Sequence, residues 1–187
     1  MSANSGAQAH STGDGKGNWN TKRIATCAFF VALSIATSFI EIPIFPAAPF
    51  LKYDPSGIFC LLAGLMWGPG TGCIVAALPW VFRLFTNPAG AAMSLAMGLV
   101  GVLVASLIHK AREGKAWLMV SLVVAVFAST LTAVVANMVV TPAYTGVPLE
   151  TVLGMIVPII IPFNLLKFSI NSVVAGVVFS PLQKALG

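Results

Sequence analysis

Lys167 makes the heaviest demand on its surroundings. It lies in the apolar run Ile161-Pro162-Phe163-Asn164-Leu165-Leu166-Lys167, and a charge at the centre of a membrane-buried helix costs about 2.5 to 3.5 kcal/mol on insertion scales. A lysine that merely snorkels lies near a helix end, so one in mid-run points to a partner and a function. Asn164 comes three residues earlier and shares its helical face. Asn137 is another polar group enclosed by apolar sequence. For the two asparagines, residue type leaves two readings open: ligand binding, or interhelical hydrogen bonds of below about 2 kcal/mol each.

Two connecting segments add aromatic and charged groups. Pro49-Phe50-Leu51-Lys52-Tyr53-Asp54-Pro55-Ser56 has proline near both ends, which stiffens it. An aromatic beside a Lys and an Asp could cover a planar ligand while backbone groups satisfy its polar edge. The plainer alternative is an interfacial loop anchored by Tyr53. Thr141-Pro142-Ala143-Tyr144-Thr145-Gly146-Val147-Pro148 reads either as a lid or as a simple turn. The first apolar run carries Ala28, Ala32 and Ala36 at four-residue spacing, a stripe that lets another helix approach closely. Periodicity does not say whether that helix belongs to this chain or to a partner.

The elements that must position these groups follow from composition. The chain has 187 residues, of which 58% are hydrophobic and 8% charged, whereas a soluble domain has about 25% charged residues. A soluble globule is excluded, and an all-α membrane protein is expected. Residues 1–22 are polar and rich in Gly, Ser, Asn and Thr, and read as a disordered cytoplasmic tail. Residues 23–187 then form the membrane domain, long enough for roughly five to seven helices. The expected architecture is a bundle of about six transmembrane helices, with runs Ile24 to Ile40, Gly57 to Trp67, Thr71 to Phe85, Ala89 to Ile108, Trp117 to Val140 and Val152 to Phe179. Glu41, Pro43, Pro46 and Pro49 end the first run, and Gly68-Pro69-Gly70 turns the second into the third. The second and third are short for a hydrocarbon core of about 30 Å, which implies thinning, tilt or shielding.

With both termini cytoplasmic, seven of the ten basic residues fall on the cytoplasmic side: Lys16, Lys22, Arg23, Lys110, Arg112, Lys115 and Lys184. Topology thus explains the basic pI near 9.4 without nucleic acid. Cys27, Cys60 and Cys73 lie in or beside apolar runs without metal-ligand spacing and read as packing residues. No GxxxxGK[ST] phosphate loop occurs, so ATP hydrolysis by that route is excluded. A stand-alone secondary transporter would place acidic groups in mid-membrane, yet the five Asp and Glu residues lie outside the runs. An intramembrane hydrolase would need a base or metal set, and the histidines are His10 in the tail and His109 at a helix end. A non-enzymatic, metal-free binding protein is expected.

Taken together, FLKYDPS, the stretch from Asn137 through Thr141-Pro142-Ala143-Tyr144, and PFNLLK resemble the riboflavin-type substrate-binding (S) component of energy-coupling factor (ECF) vitamin transporters. The resemblance runs from about Ile24 to the end. It implies a multi-pass plasma-membrane protein of a prokaryote that binds riboflavin as transported ligand, not cofactor, and works with a transmembrane coupling subunit and two ATPase subunits. It further implies that the backbone near Leu51 and Lys52 and the side chains of Asn137, Asn164 and Lys167 hold the flavin, with Tyr53 close by. The stripe Ala28, Ala32, Ala36 would then face the coupling subunit. The chain departs from the family pattern at Gly57-Ile58-Phe59 and, where the pattern has a Lys-Asn pair in the third run, by offering Arg83 and, further on, Asn87. A related flavin or another planar vitamin is the alternative ligand.

Overall fold

A helix that is apolar on every side has to be surrounded, and the helix α2, Ser56–Trp67, has no exposed residue. The computed structural model describes residues 21–45, 48 and 51–186. In it, α2 packs against α1 (Thr21–Ser38), α3 (Pro69–Arg83), α4 (Pro88–Ala111) and α7 (Ile161–Leu186). Twelve residues make a helix of about 18 Å, too short to cross a membrane alone. Its neighbours cover it instead of lipid. α5 (Lys115–Thr145) lies against α4 and α7, while α6 (Leu149–Met155) leads through a π-helical turn, Ile156–Ile160, into α7.

Each of the expected apolar runs falls on helix. Among the described residues, three stretches are long and apolar enough to cross a membrane: Pro88–Ala111, Lys115–Thr145 and Leu149–Ala185. Arg23–Ser38 and Ser56–Trp67 are shorter apolar helices. The expected tail lies outside the described residues except for Thr21 and Lys22, which open α1, and so do Pro46, Pro49 and Phe50.

Two local expectations change. The fold is not purely helical, because Ile42–Pro43 (β1) and Lys52–Tyr53 (β2) pair antiparallel, with Ile42 opposite Tyr53 and Pro43 opposite Lys52. The segment after Val140 is not a simple turn at its start, since α5 continues through Pro142 to Thr145. Thr145 Oγ1 donates to Thr141 O at 2.7 Å, and Gly146, at φ 72°, then ends the helix in the left-handed conformation that glycine tolerates best.

The α2–α3 hairpin closes at Gly68, and the two backbones then run nearly in contact. A Cβ on Gly72 would lie 2.6 Å from the Gly64 Cα and would also strike Val102 of α4. Gly72→Val should therefore wedge α3 away from both neighbours and destabilise the protein by about 1 to 3 kcal/mol, the usual range for overpacking. A thermal unfolding curve in detergent checks this; an unchanged midpoint would mean that the hairpin relaxes freely.

Candidate functional site

Lys167, on α7, finds its partner 113 residues earlier in the sequence. Its Nζ donates to Asp54 Oδ2 at 2.7 Å, and the two side chains are only 9% and 7% exposed. Asp54 stands between β2 and α2, and its other oxygen accepts from Ser56 Oγ in the first turn of α2. Ser34 Oγ of α1 donates to Ser56 O at 3.4 Å. α1, α2 and α7 are thereby linked at one end. The sequence places Asp54 in the loop beside Lys52 and Tyr53 but does not single it out as the partner of Lys167. The signal lay in the arithmetic of charge: a buried lysine needs a carboxylate, and the chain has five acidic residues in all.

Beside this ion pair opens a cavity of about 400 Å³. Leu51, Lys52, Asn137, Asn164 and Lys167 all line it, brought from the segment before α2, from α5 and from α7. Trp80, Val152, Ile160 and Phe163 supply apolar wall. Asn164 Nδ2 donates to Ile160 O at 2.8 Å, which orients the amide while leaving its second N–H and its Oδ1 for other partners. Asn137 Nδ2 donates to Ala133 O at 2.8 Å, and its Oδ1 accepts from Thr141 Oγ1 at 3.1 Å.

Tyr53 does not line the cavity. Neighbouring residues of a strand point to opposite faces, so Lys52 faces the cavity and Tyr53 turns away, donating through its hydroxyl to Asn171 Oδ1 at 3.1 Å. Burial, with a smaller push from the Asp54 charge, raises the Tyr53 pKa above its ordinary value, so the hydroxyl stays a donor at neutral pH. Ala28, Ala32 and Ala36 lie away from the cavity, exposed along α1, whose Cys27, Phe30, Ser34 and Ser38 are buried.

Glu41, Lys52 and Arg83, separate in the sequence, form a second charged group. Glu41 lies between two cations: Arg83 Nη2 bonds to Oε1, and Lys52 Nζ lies 2.6 Å from Oε2. Arg83 also donates to Ser38 O, the last residue of α1. All three charged side chains line the same cavity. Burial works to raise the Glu41 carboxyl pKa, but the hydrogen bonds from Lys52 and Arg83 and their charges outweigh it and hold the group below its usual value. Glu41 is therefore ionised at neutral pH.

Over residues 22–179 the sequence matches the family described as ECF transporter, substrate-specific component. It is similar to the riboflavin transporter RibU of Staphylococcus aureus, with 29% identity over 174 residues covering 88% of this chain and 90% of that protein. The riboflavin transporter RibU of Streptococcus thermophilus is 26% identical over 180 residues, which cover 89% of this chain and 85% of that one. Among solved structures, the S component of a bacterial ECF transporter aligns with a TM-score of 0.77 at 28% identity, covering 88% of this chain and 97% of its own.

The ion pair changes what a substitution at Lys167 should do. Removing the lysine does not just relieve an insertion cost, because Asp54 is then left charged and unpaired in a buried place. Lys167→Met should lower stability by about 3 to 5 kcal/mol. The double variant Asp54→Asn/Lys167→Met should regain most of the loss. Detergent unfolding midpoints of the three proteins test this, and equal loss in the single and double variants would contradict it.

Proposed function

This chain belongs to the substrate-specific components of ECF transporters, and from that membership we propose that it binds riboflavin with high affinity at the outer face of a prokaryotic plasma membrane. It then delivers the vitamin inward together with a transmembrane coupling subunit and two ATPase subunits, and performs no reaction itself. The proposed topology is six spans with both termini cytoplasmic, supported by the placing of the basic residues. Energy comes from the partners, since the chain has no phosphate-binding loop.

The observation that carries this reading is one cavity of about 400 Å³ in which Leu51, Lys52, Asn137, Asn164 and Lys167 converge from three separate stretches of chain. The volume suits a small organic ligand, whose pockets span about 300 to 1,000 Å³. A flavin ring system is a flat apolar body with carbonyl and N–H groups along one edge. Trp80, Ile160 and Phe163 can cover its faces, while Asn137, Asn164 and Lys167 meet the polar edge with both donors and acceptors. Tyr53 contributes from behind, by holding Asn171 on α7.

Titrating the purified protein with riboflavin should quench the flavin fluorescence with saturable binding. Asn164→Leu should weaken that binding by about 0.5 to 1.5 kcal/mol, the value of a neutral hydrogen bond. Protein that leaves riboflavin unbound but binds another vitamin would overturn the choice of ligand.

The proposed docking surface for the coupling subunit is the stripe Ala28, Ala32, Ala36, supported by its exposure along α1. In lipid, helix association rests on close van der Waals packing, so bulk on such a stripe acts by steric exclusion. Ala32→Trp should leave riboflavin binding by the isolated protein intact while abolishing copurification with the coupling complex and uptake in cells. Loss of riboflavin binding in the isolated variant would instead mark the stripe as part of the protein's own packing.

A further inference from the structure

Five charged side chains among the described residues line the ligand cavity, and they form two groups of different character. Asp54 and Lys167 are a one-to-one pair at the dry end, 7% and 9% exposed. At the wetter end stand Glu41, Lys52 and Arg83, with side chains 26%, 46% and 12% exposed. Here two cations share one carboxylate, and both of its oxygens are used: Oε1 by Arg83 and Oε2 by Lys52. Without Glu41, Arg83 Nη2 and the Lys52 ammonium would converge on one vacant anion position, while Arg83 Nη1 stays on Ser38 O, and a guanidinium N–H beside an ammonium is a donor pair that suits a phosphate oxygen. Glu41 fills that position with an anion tethered to the protein, which an incoming anion has to displace or approach against like charge.

The inference rests on the flavin reading above. If the ring's polar edge meets Asn164 and Lys167, the flexible polyol tail extends toward the wetter end. Its terminal hydroxyl is the atom that bears the phosphate in the flavin's phosphate monoester. A neutral hydroxyl can share the hydrogen-bonding capacity of Glu41 and Lys52 at little electrostatic cost. A phosphate dianion finds the Arg83 and Lys52 donors already engaged by Glu41, so it must break those contacts or settle beside the carboxylate, where the like charge offsets the attraction of the two cations. We propose that Glu41 is a specificity-determining residue, which makes this cavity select uncharged riboflavin over riboflavin 5′-phosphate.

Fluorescence titrations of the full chain in detergent, with riboflavin and with riboflavin 5′-phosphate, test the proposal through the ratio of the two dissociation constants. The wild-type protein should prefer riboflavin by about tenfold or more, and Glu41→Gln should shift the ratio toward the phosphate ester by a similar factor, the scale of one charge-assisted contact. Lys52→Gln, at an exposed position, should shift the ratio the other way and keeps the test available if Glu41→Gln does not fold. The phosphate ester's gain in Glu41→Gln should shrink as salt is raised. Equal wild-type affinity for the two ligands, or a parallel loss of both in Glu41→Gln with the ratio unmoved, would overturn the proposal and leave Glu41 a structural tie. Wild-type protein that binds neither ligand would overturn the flavin reading itself, and the specificity proposal with it.

Discussion

Two opposite charges withdrawn from water and held 2.7 Å apart, Lys167 and Asp54, govern the geometry of this protein. Each buried ion loses several kcal/mol of hydration, which attraction offsets only where the geometry is close and the remaining lone pairs are satisfied. That requirement fixes the start of α2 against the second turn of α7. Ser56 Oγ takes the second carboxylate oxygen, and Ser34 of α1 reaches the Ser56 carbonyl. Tyr53 and Asn171 make a second link between the segment before α2 and α7, on the side away from the cavity. A short helix with no exposed residue is thus anchored by polar contacts at the end where the cavity opens.

The helices were legible because apolar runs broken by Pro, Gly and charge are local features of the sequence. The demand made by Lys167 was legible too. Its answer was not, since Asp54 lies 113 residues away and no local pattern records which carboxylate meets which lysine. The same holds for Glu41 and Arg83, 42 residues apart, each visible as a residue but not as a pair. Tyr53 shows a different limit. Reading Lys52 and Tyr53 as joint neighbours of one ligand treats their segment as a loop, whereas pairing with Ile42 and Pro43 makes it a strand, and strand geometry sends adjacent side chains to opposite faces.

The last apolar run has a finer structure than one straight span. Pro158 and Pro162 cannot donate backbone hydrogen bonds, and between them the ladder widens, with Ile161 N–H reaching Ile156 O five residues back. Such π-helical turns occur often at functional sites. Here the turn ends at Ile160, whose carbonyl accepts from the Asn164 side chain. Disruption of the backbone ladder and orientation of a cavity-lining amide therefore occupy neighbouring turns of the same helical rod, with Lys167 one turn further on.

α1 carries two unlike faces, and the difference is informative because lipid imposes a different rule from water. Its buried face includes Ser34, which contacts the carbonyl of Ser56 and so the surroundings of the ion pair. Its exposed face includes Phe29 as well as Ala28, Ala32 and Ala36, so large side chains are not excluded from it as a whole. In water, exposed alanines would be unremarkable surface. Against acyl chains a larger apolar side chain would be equally compatible, so lipid by itself gives no reason for a smooth stripe. Small residues at four-residue spacing instead permit close approach of another helix backbone, and the exposed position directs that approach outward. One helix thus connects, by its opposite faces, the packing beside the cavity and the surface proposed for the coupling subunit.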